Sequence, residues 1–212
     1  MTSSISRLVV ATRNPGKLNE IRILLGDLTF PLVSLMEFKD LGTAEELEPT
    51  YEGNAVSKAK YYSGGTREFV IADDSGLEVE ALNGAPGVLS ARYAGPGASD
   101  QDRRNQLLTE LTNSNTLSRT ARFVCCVALA APNQTILQIT RGICDGTISN
   151  EERGTSGFGY DPVFIPNGYQ GTFGELSEEL KNQISHRARA IAAMKDFLLG
   201  KHRNQQSPIK NQ

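Results

Sequence analysis

The chain is poor in the residues that build transition-metal centres and disulfide frameworks. Its 212 residues include only two histidines, His186 and His202, and three cysteines. No Cys/His group has zinc-ligand spacing, so any metal is expected to be a hard cation bound through oxygen. An odd number of cysteines suits a reducing compartment better than a disulfide framework. Cys125 and Cys126 are adjacent in an apolar run, where a strand would send them to opposite faces as small core residues. No apolar run approaches the roughly 20 residues that span a bilayer. The apolar stretch after Met1 to Arg7 is too short for a signal peptide, so a cytoplasmic protein is expected.

An excess of one charge is missing as well. Lys plus Arg number 22 against 24 Asp plus Glu, a net charge of −2. That balance excludes the basic footprint of a dedicated nucleic-acid binder. A polyanionic partner would need positive charge gathered locally. At 22% charged and 39% hydrophobic residues the composition is that of an ordinary globular protein, which argues against wholesale disorder. The length suits one compact domain, or one domain with two lobes. Residues 1–200 are read as that domain and 201–212 as a polar tail. There is no internal repeat.

What is present alternates between strand and helix signals. Ile5 to Ala11 reads as a buried strand. Asn14 is placed to N-cap a helix with Pro15 in its first position, and Leu18, Ile21, Leu24 and Leu25 follow at helical spacing. Phe30 to Leu35 reads as a strand, Met36 to Thr50 as an acidic irregular segment and Tyr51 to Tyr62 as a helix. Phe69 to Ala72 is a strand expected to end at Asp73-Asp74-Ser75-Gly76, with a further strand from Gly76 to Glu80. Gly84 to Gly97 should be a structured loop, and Ser99 with Asp102 forms a capping box for a helix to Leu111. Arg122 to Ala131 and Thr135 to Ile143 predict a hairpin, followed by the short run Val163 to Ile165. Ser185 caps a last helix that Gly200 ends. This order predicts an α/β fold with a mixed sheet.

Six segments carry chemistry. Thr12-Arg13-Asn14-Pro15-Gly16-Lys17 joins a strand end to a helix N-terminus, where backbone N–H groups and the helix dipole favour a phosphate. It is not a Walker A loop, because Leu18 follows Gly16-Lys17; a capped turn with solvated bases would look the same. Asp73 and Asp74 point to opposite sides of their strand and invite a divalent cation, unless Ser75 simply caps a turn. Glu45 and Glu46 either add a metal ligand or form a solvated run. Lys58, four residues after Asn54, shares its helix face. Phe158-Gly159-Tyr160-Asp161 offers rings, a pliable backbone and a carboxylate, which suits a nucleobase as well as a tight turn. Lys181, His186 and Arg187 gather positive charge near a helix N-terminus, a local conflict that an anion would relieve. Ser75 and Ser156 lack a G-x-S-x-G elbow, which excludes a serine hydrolase of that type.

Taken in order, these segments resemble the inosine triphosphate pyrophosphatase family. The resemblance runs through Ala11 to Lys17, Asn54-Ala55 with Lys58-Ala59, and Ala72 to Leu77. It continues in Gly84 to Gly87, Ser90 to Tyr93, Gly157 to Pro162 and Ile184 to Arg187, and spans Leu8 to Leu199. It implies an elongated α/β fold whose two lobes flank a central cleft, usually a homodimer. It implies hydrolysis of ITP, dITP and XTP to the monophosphate and pyrophosphate, cleansing the nucleotide pool. By the same resemblance Thr12 to Lys17 hold the triphosphate, and Glu46 and Asp74 ligate Mg²⁺. Asp74 accepts the proton of the attacking water beside Asp73, Ser75 touches substrate and Lys58 neutralises phosphate charge. Phe158 stacks on the purine, Gly159, Tyr160 and Asp161 complete the pocket, and Lys181, His186 and Arg187 close it. The chain departs from the family at Arg13, often a small residue, and at Gly53, often Glu. A pyrophosphatase for pyrimidine or modified nucleotides, and a non-catalytic nucleotide-binding regulator, are the alternatives.

Overall fold

The structure is a computed structural model that describes residues 5–114 and 116–201. Six strands form one mixed sheet in the order β2-β1-β3-β4-β5-β6. β1 (Leu8–Val10) lies parallel to β2 (Leu32–Ser34) and to β3 (Phe69–Val79). β4 (Thr120–Ala130), β5 (Ile136–Ile148) and β6 (Phe164–Pro166) continue it antiparallel. α1 (Pro15–Leu24) connects β1 to β2, and α2 (Tyr51–Thr66) connects β2 to β3. α3 (Asp100–Asn113) precedes β4, and α4 (Glu178–Ile184) and α5 (His186–Leu198) close the described chain.

Side-chain alternation along β3 and β4 sorts the core into two faces. Val70, Ala72, Val124, Cys126 and Ala128 pack with Ala55, Ala59 and Tyr62 of α2. Ile71, Cys125, Val127 and Leu129 pack on the other face with Ile21 of α1 and Ile191 and Met194 of α5. The two adjacent cysteines do part to opposite faces, as their positions predict. A third cluster fills the far end of the long strands: Leu77, Val79 and Phe123 with Leu107 and Leu111 of α3, and with Phe164 and Phe173.

The helix caps follow the sequence signals. Asn14 accepts from the Lys17 amide with Pro15 first in α1, and Ser99 with Asp102 closes a capping box on α3. Ser185 accepts from the Ala188 amide at the start of α5, and Gly200 follows its end with φ +71°. One expectation is corrected. The strand expected to end at Asp73 instead runs unbroken from Phe69 to Val79, because β4 pairs with it from Val70 to Val79. The last helical stretch is preceded by a separate helix, α4, with Ser185 lying at the end of one and the cap of the next. Of the expected tail, residues 202–212 lie outside the described residues, as does His202.

β3 outlasts its parallel neighbour, and that mismatch makes the cleft. β1 ends at Val10, opposite Ile71. Further along, the loop after β3 covers the same edge: Val79 donates to the Ala85 carbonyl, and Leu77 to the Ser90 hydroxyl. Between those covers lie Asp73, Asp74, Ser75 and Gly76.

Candidate active site

The uncovered stretch of β3 borders a cleft of about 790 Å³. Asn14, Lys17, Glu46, Asp74 and Ser75 line one part of it, and Phe158 to Asp161, Lys181, His186 and Arg187 another. Alternation then assigns the two aspartates to different neighbourhoods. Asp74 points to the α2 side, where Asn54 Nδ2 donates to it at 3.1 Å and Lys58 Nζ lies 3.5 Å away. Lys58 also contacts Glu46 Oε1 at 2.7 Å. The helical spacing of Asn54 and Lys58 therefore brings both to one carboxylate, as their shared face predicts.

Asp73 points to the α1 and α5 side and is 2% exposed. Lys17 lies 3.2 Å from its Oδ2, and Arg187 donates to the same atom at 3.2 Å through Nε and Nη2. Arg187 also donates to Ser75 at 2.9 Å and pairs with Glu20 of α1. Glu20 in turn meets Lys181 at 2.7 Å, and Lys181 meets Asp161 at 2.5 Å. The result is a buried chain of alternating charge, Asp73–Arg187–Glu20–Lys181–Asp161, under the cleft.

This chain shows where the anion demanded by the α5 N-terminus comes from. The charges of Lys181 and Arg187 are met inside the fold by Asp73, Glu20 and Asp161, and His186 adds none because burial keeps it neutral; all three residues still line the cleft. Glu20 was not legible as a site residue: it lies three residues after Lys17 in a helix whose pattern marks only Ile21 and its apolar neighbours. A buried acid on an amphipathic helix reveals itself only through its partners.

The two aspartates differ in acidity for reasons of place. Burial alone would raise Asp73, but Lys17, Arg187 and Lys58 hold it far below the usual carboxylate range. Burial raises Asp74, and Lys58, Lys17 and Asn54 do not fully offset that. Asp74 is thus a carboxylate at the cleft with proton affinity above the ordinary value, the property a general base needs; burial raises Asp161 too, but its Oδ2 is taken up by Lys181 and the Phe158 amide. Burial also acts on Glu46, where Lys58 outweighs it and keeps the group below its usual range. The His186 imidazole is held well below its normal range by burial and then by Arg187 and Lys181, so it is neutral at pH 7. It stacks on Phe123 at 4.6 Å between centroids.

Phe158 lines the cleft together with the rings of Phe123, Tyr160 and His186. Lys181 Nζ lies 4.7 Å from the Phe158 centroid and the Arg187 guanidinium carbon 5.7 Å. The Phe158 amide donates to Asp161 Oδ2 at 2.8 Å, and Tyr160 donates its hydroxyl to the Ser90 carbonyl. Asp161 is therefore turned into its own loop and toward Lys181.

Some expected residues are placed elsewhere. The Arg13 guanidinium is directed to the carbonyls of Leu41 and Gly42, at 2.8 and 3.4 Å, so it braces the acidic segment instead of joining Lys17 at the cleft. Thr12 uses its hydroxyl to accept from the Asn14 amide. Pro15 shapes the helix start, and Gly16 faces the Phe158 ring. Glu45 is exposed, away from Asp74. Gly53 is tightly packed: a Cβ there would lie 2.7 Å from the Glu48 Cβ, so Gly lets the 48–50 segment fold onto α2.

The fold and cleft together define an α/β protein whose site joins acidic and basic side chains to an aromatic loop beside the uncovered stretch of β3. The model of the Ham1 family matches residues 8–197. A dITP/XTP pyrophosphatase of Geobacter sulfurreducens is 47% identical, over 92% of this chain and 97% of that protein. One from Chlamydia pneumoniae is 44% identical over 91% and 94%. The HAM1 protein of Coxiella burnetii superposes with a TM-score of 0.85 at 38% identity, over 92% of this chain and 100% of that one. The Ham1 protein of Staphylococcus aureus gives 0.81 at 39%, over 92% and 99%. The chain belongs to the Ham1 family.

Proposed function

We propose that the protein hydrolyses deaminated purine nucleoside triphosphates, ITP, dITP and XTP, to the monophosphate and pyrophosphate. The observation that carries this reading is the joining, in one cleft, of Asp74, Glu46 and Lys17 with the Phe158 ring, Lys181 and His186. The first group suits a charged phosphate chain and the second a base. The relatives at 42–47% identity are named dITP/XTP pyrophosphatases, which supports the reading.

The donor set fits a Mg²⁺ ion. Glu46 and Asp74 supply hard oxygens, and among the described residues no group of three His, Cys, Asp or Glu could hold a metal alone. Mg²⁺ is commonly held by one or two carboxylates plus substrate phosphates, which this shortage of ligands suits. When bound, the ion would supply charge neutralisation for the phosphates.

The residues of the chain account for the rest. Asp74 takes a proton from the water that attacks the α-phosphorus, its affinity raised by burial. Asn54 and Lys58 hold that carboxylate in place. Lys17 and the amides at the start of α1 meet the phosphates, where cation and helix dipole act together. Phe158 stacks on the base, and Lys181, His186 and Arg187 present donors toward its edge. A site whose donors pair with a 6-oxo purine rejects adenine by leaving them unpaired. The resemblance adds a homodimer to this reading, which light scattering tests directly.

Pyrophosphate release across ITP, dITP, XTP, dUTP, dTTP, ATP and GTP, with and without Mg²⁺, tests the function. Mg²⁺-dependent release from the first three supports it. Orthophosphate as the product would rule out attack at the α-phosphorus, and preference for dUTP or dTTP would move the reading to a pyrimidine enzyme.

A further inference from the structure

The first turn of α3 holds the peptide of Gly159 on both sides. Gly159 donates its N–H to Asp100 Oδ2 at 2.8 Å, and its carbonyl accepts from Arg104 Nη1 at 2.7 Å. Gly159 has φ +61°, a left-handed conformation that leaves the loop little support of its own. The two anchors are themselves fixed. Asp100 Oδ1 pairs with Arg103 at 3.2 Å, and Arg103 donates to the carbonyls of Ala91 and Ala98. Arg104 pairs with Glu152 at 3.0 Å and donates to Gln101 Oε1, while Gln101 Nε2 donates to Glu152.

The position of this clamp gives it a consequence for the ring beside it. Gly159 N–H belongs to the peptide that leaves Phe158, so fixing it fixes the backbone that aims the ring. The Phe158 amide is given to Asp161 and the Gly159 amide to Asp100, so these two donors are used within the protein. Asp100 and Arg103 themselves line the cleft. We infer that Asp100 and Arg104 of α3 are positioning residues that set the Phe158 ring for the nucleobase, and so govern affinity for the base half of the substrate. This rests on the nucleotide reading above.

The test uses Asp100→Ala and Asp100→Asn. Both leave the Ser99–Asp102 capping box intact, so α3 keeps its start. Binding is measured by calorimetry with two probes, inosine monophosphate and inorganic triphosphate, and exchange of the 158–160 amides is followed by mass spectrometry. Asp100→Ala is expected to weaken inosine monophosphate about tenfold, the scale of one charge-assisted hydrogen bond. Inorganic triphosphate should bind as it does to the native protein, and the 158–160 amides should exchange faster. Asp100→Asn keeps an acceptor for the Gly159 N–H and is expected to restore both. Unchanged monophosphate binding in Asp100→Ala, equal weakening of both probes, or no rescue by Asn would each overturn the inference. Native protein that binds neither probe, while Asp100→Ala still frees the 158–160 amides, would overturn the nucleotide reading and leave the clamp standing.

Discussion

Gly16 and Phe158, 142 positions apart, are in such close contact that a Cβ on Gly16 would lie 2.5 Å from Cδ1 of the ring. The first turn of α1 and the aromatic loop are therefore built against each other. Gly16→Ala must push the ring aside. It is expected to raise KM for the nucleoside triphosphate about tenfold or more, as an off-position contact costs that scale of binding energy. Steady-state kinetics beside a thermal melt checks it, and an unchanged KM would show that the ring yields freely.

Asp74→Asn separates catalysis from folding. Burial raises the native Asp74 above its ordinary value, so the charged form is disfavoured by the fold. Replacement by a neutral isostere is expected to leave the melting temperature unchanged or higher, while turnover falls by at least about 100-fold, the usual contribution of a general base. Near-native turnover would remove Asp74 from that role.

Glu20→Ala leaves Arg187 and Lys181 short of their shared partner in the interior. Breaking a buried pair from one side typically costs about 3–5 kcal/mol, because the remaining charges are uncompensated. Urea unfolding is expected to show a loss of that size. A loss under about 1 kcal/mol would mean that water reaches the network, as at exposed pairs.

His186 gives stability a pH dependence with a definite sign. The folded state holds the imidazole neutral, whereas an unfolded histidine titrates near 6.5. Below that value the unfolded chain binds a proton that the fold refuses. Stability is thus full above pH 6.5 and falls as pH drops, by at most about 1.4 kcal/mol per unit. His186→Gln is expected to flatten the unfolding free energy between pH 6.5 and 5. Asp73 and Glu20, both lowered in the fold, act further down: their stabilisation holds above their unfolded values of 3.8 and 4.5 and is lost below them.

Local signals carried far in this chain where they rest on short-range physics. Caps at Asn14, Ser99 and Ser185, the hairpin of β4 and β5, and the opposite facing of Asp73 and Asp74 all come from steric and hydrogen-bond rules within a few residues. The strand boundary at Asp73 was misread because two carboxylates and a Gly resemble a turn, and only pairing with β4 overrides that. Arg13 was misplaced for a similar reason: its partners, the Leu41 and Gly42 carbonyls, lie 28 and 29 residues away.

The sequence by itself determined the class of chemistry. Residue types at Thr12–Lys17, Asp73–Asp74, Phe158–Asp161 and Lys181–Arg187 carry phosphate, cation and ring affinity wherever they fold. Tertiary structure alone decided which charge meets which. Glu20, placed by α1 under the cleft, turns Lys181 and Arg187 into members of a buried network, and β3, by outlasting β1, opens the cleft beside Asp74. Both outcomes depend on low-dielectric burial and strand register, which arise only when distant segments meet.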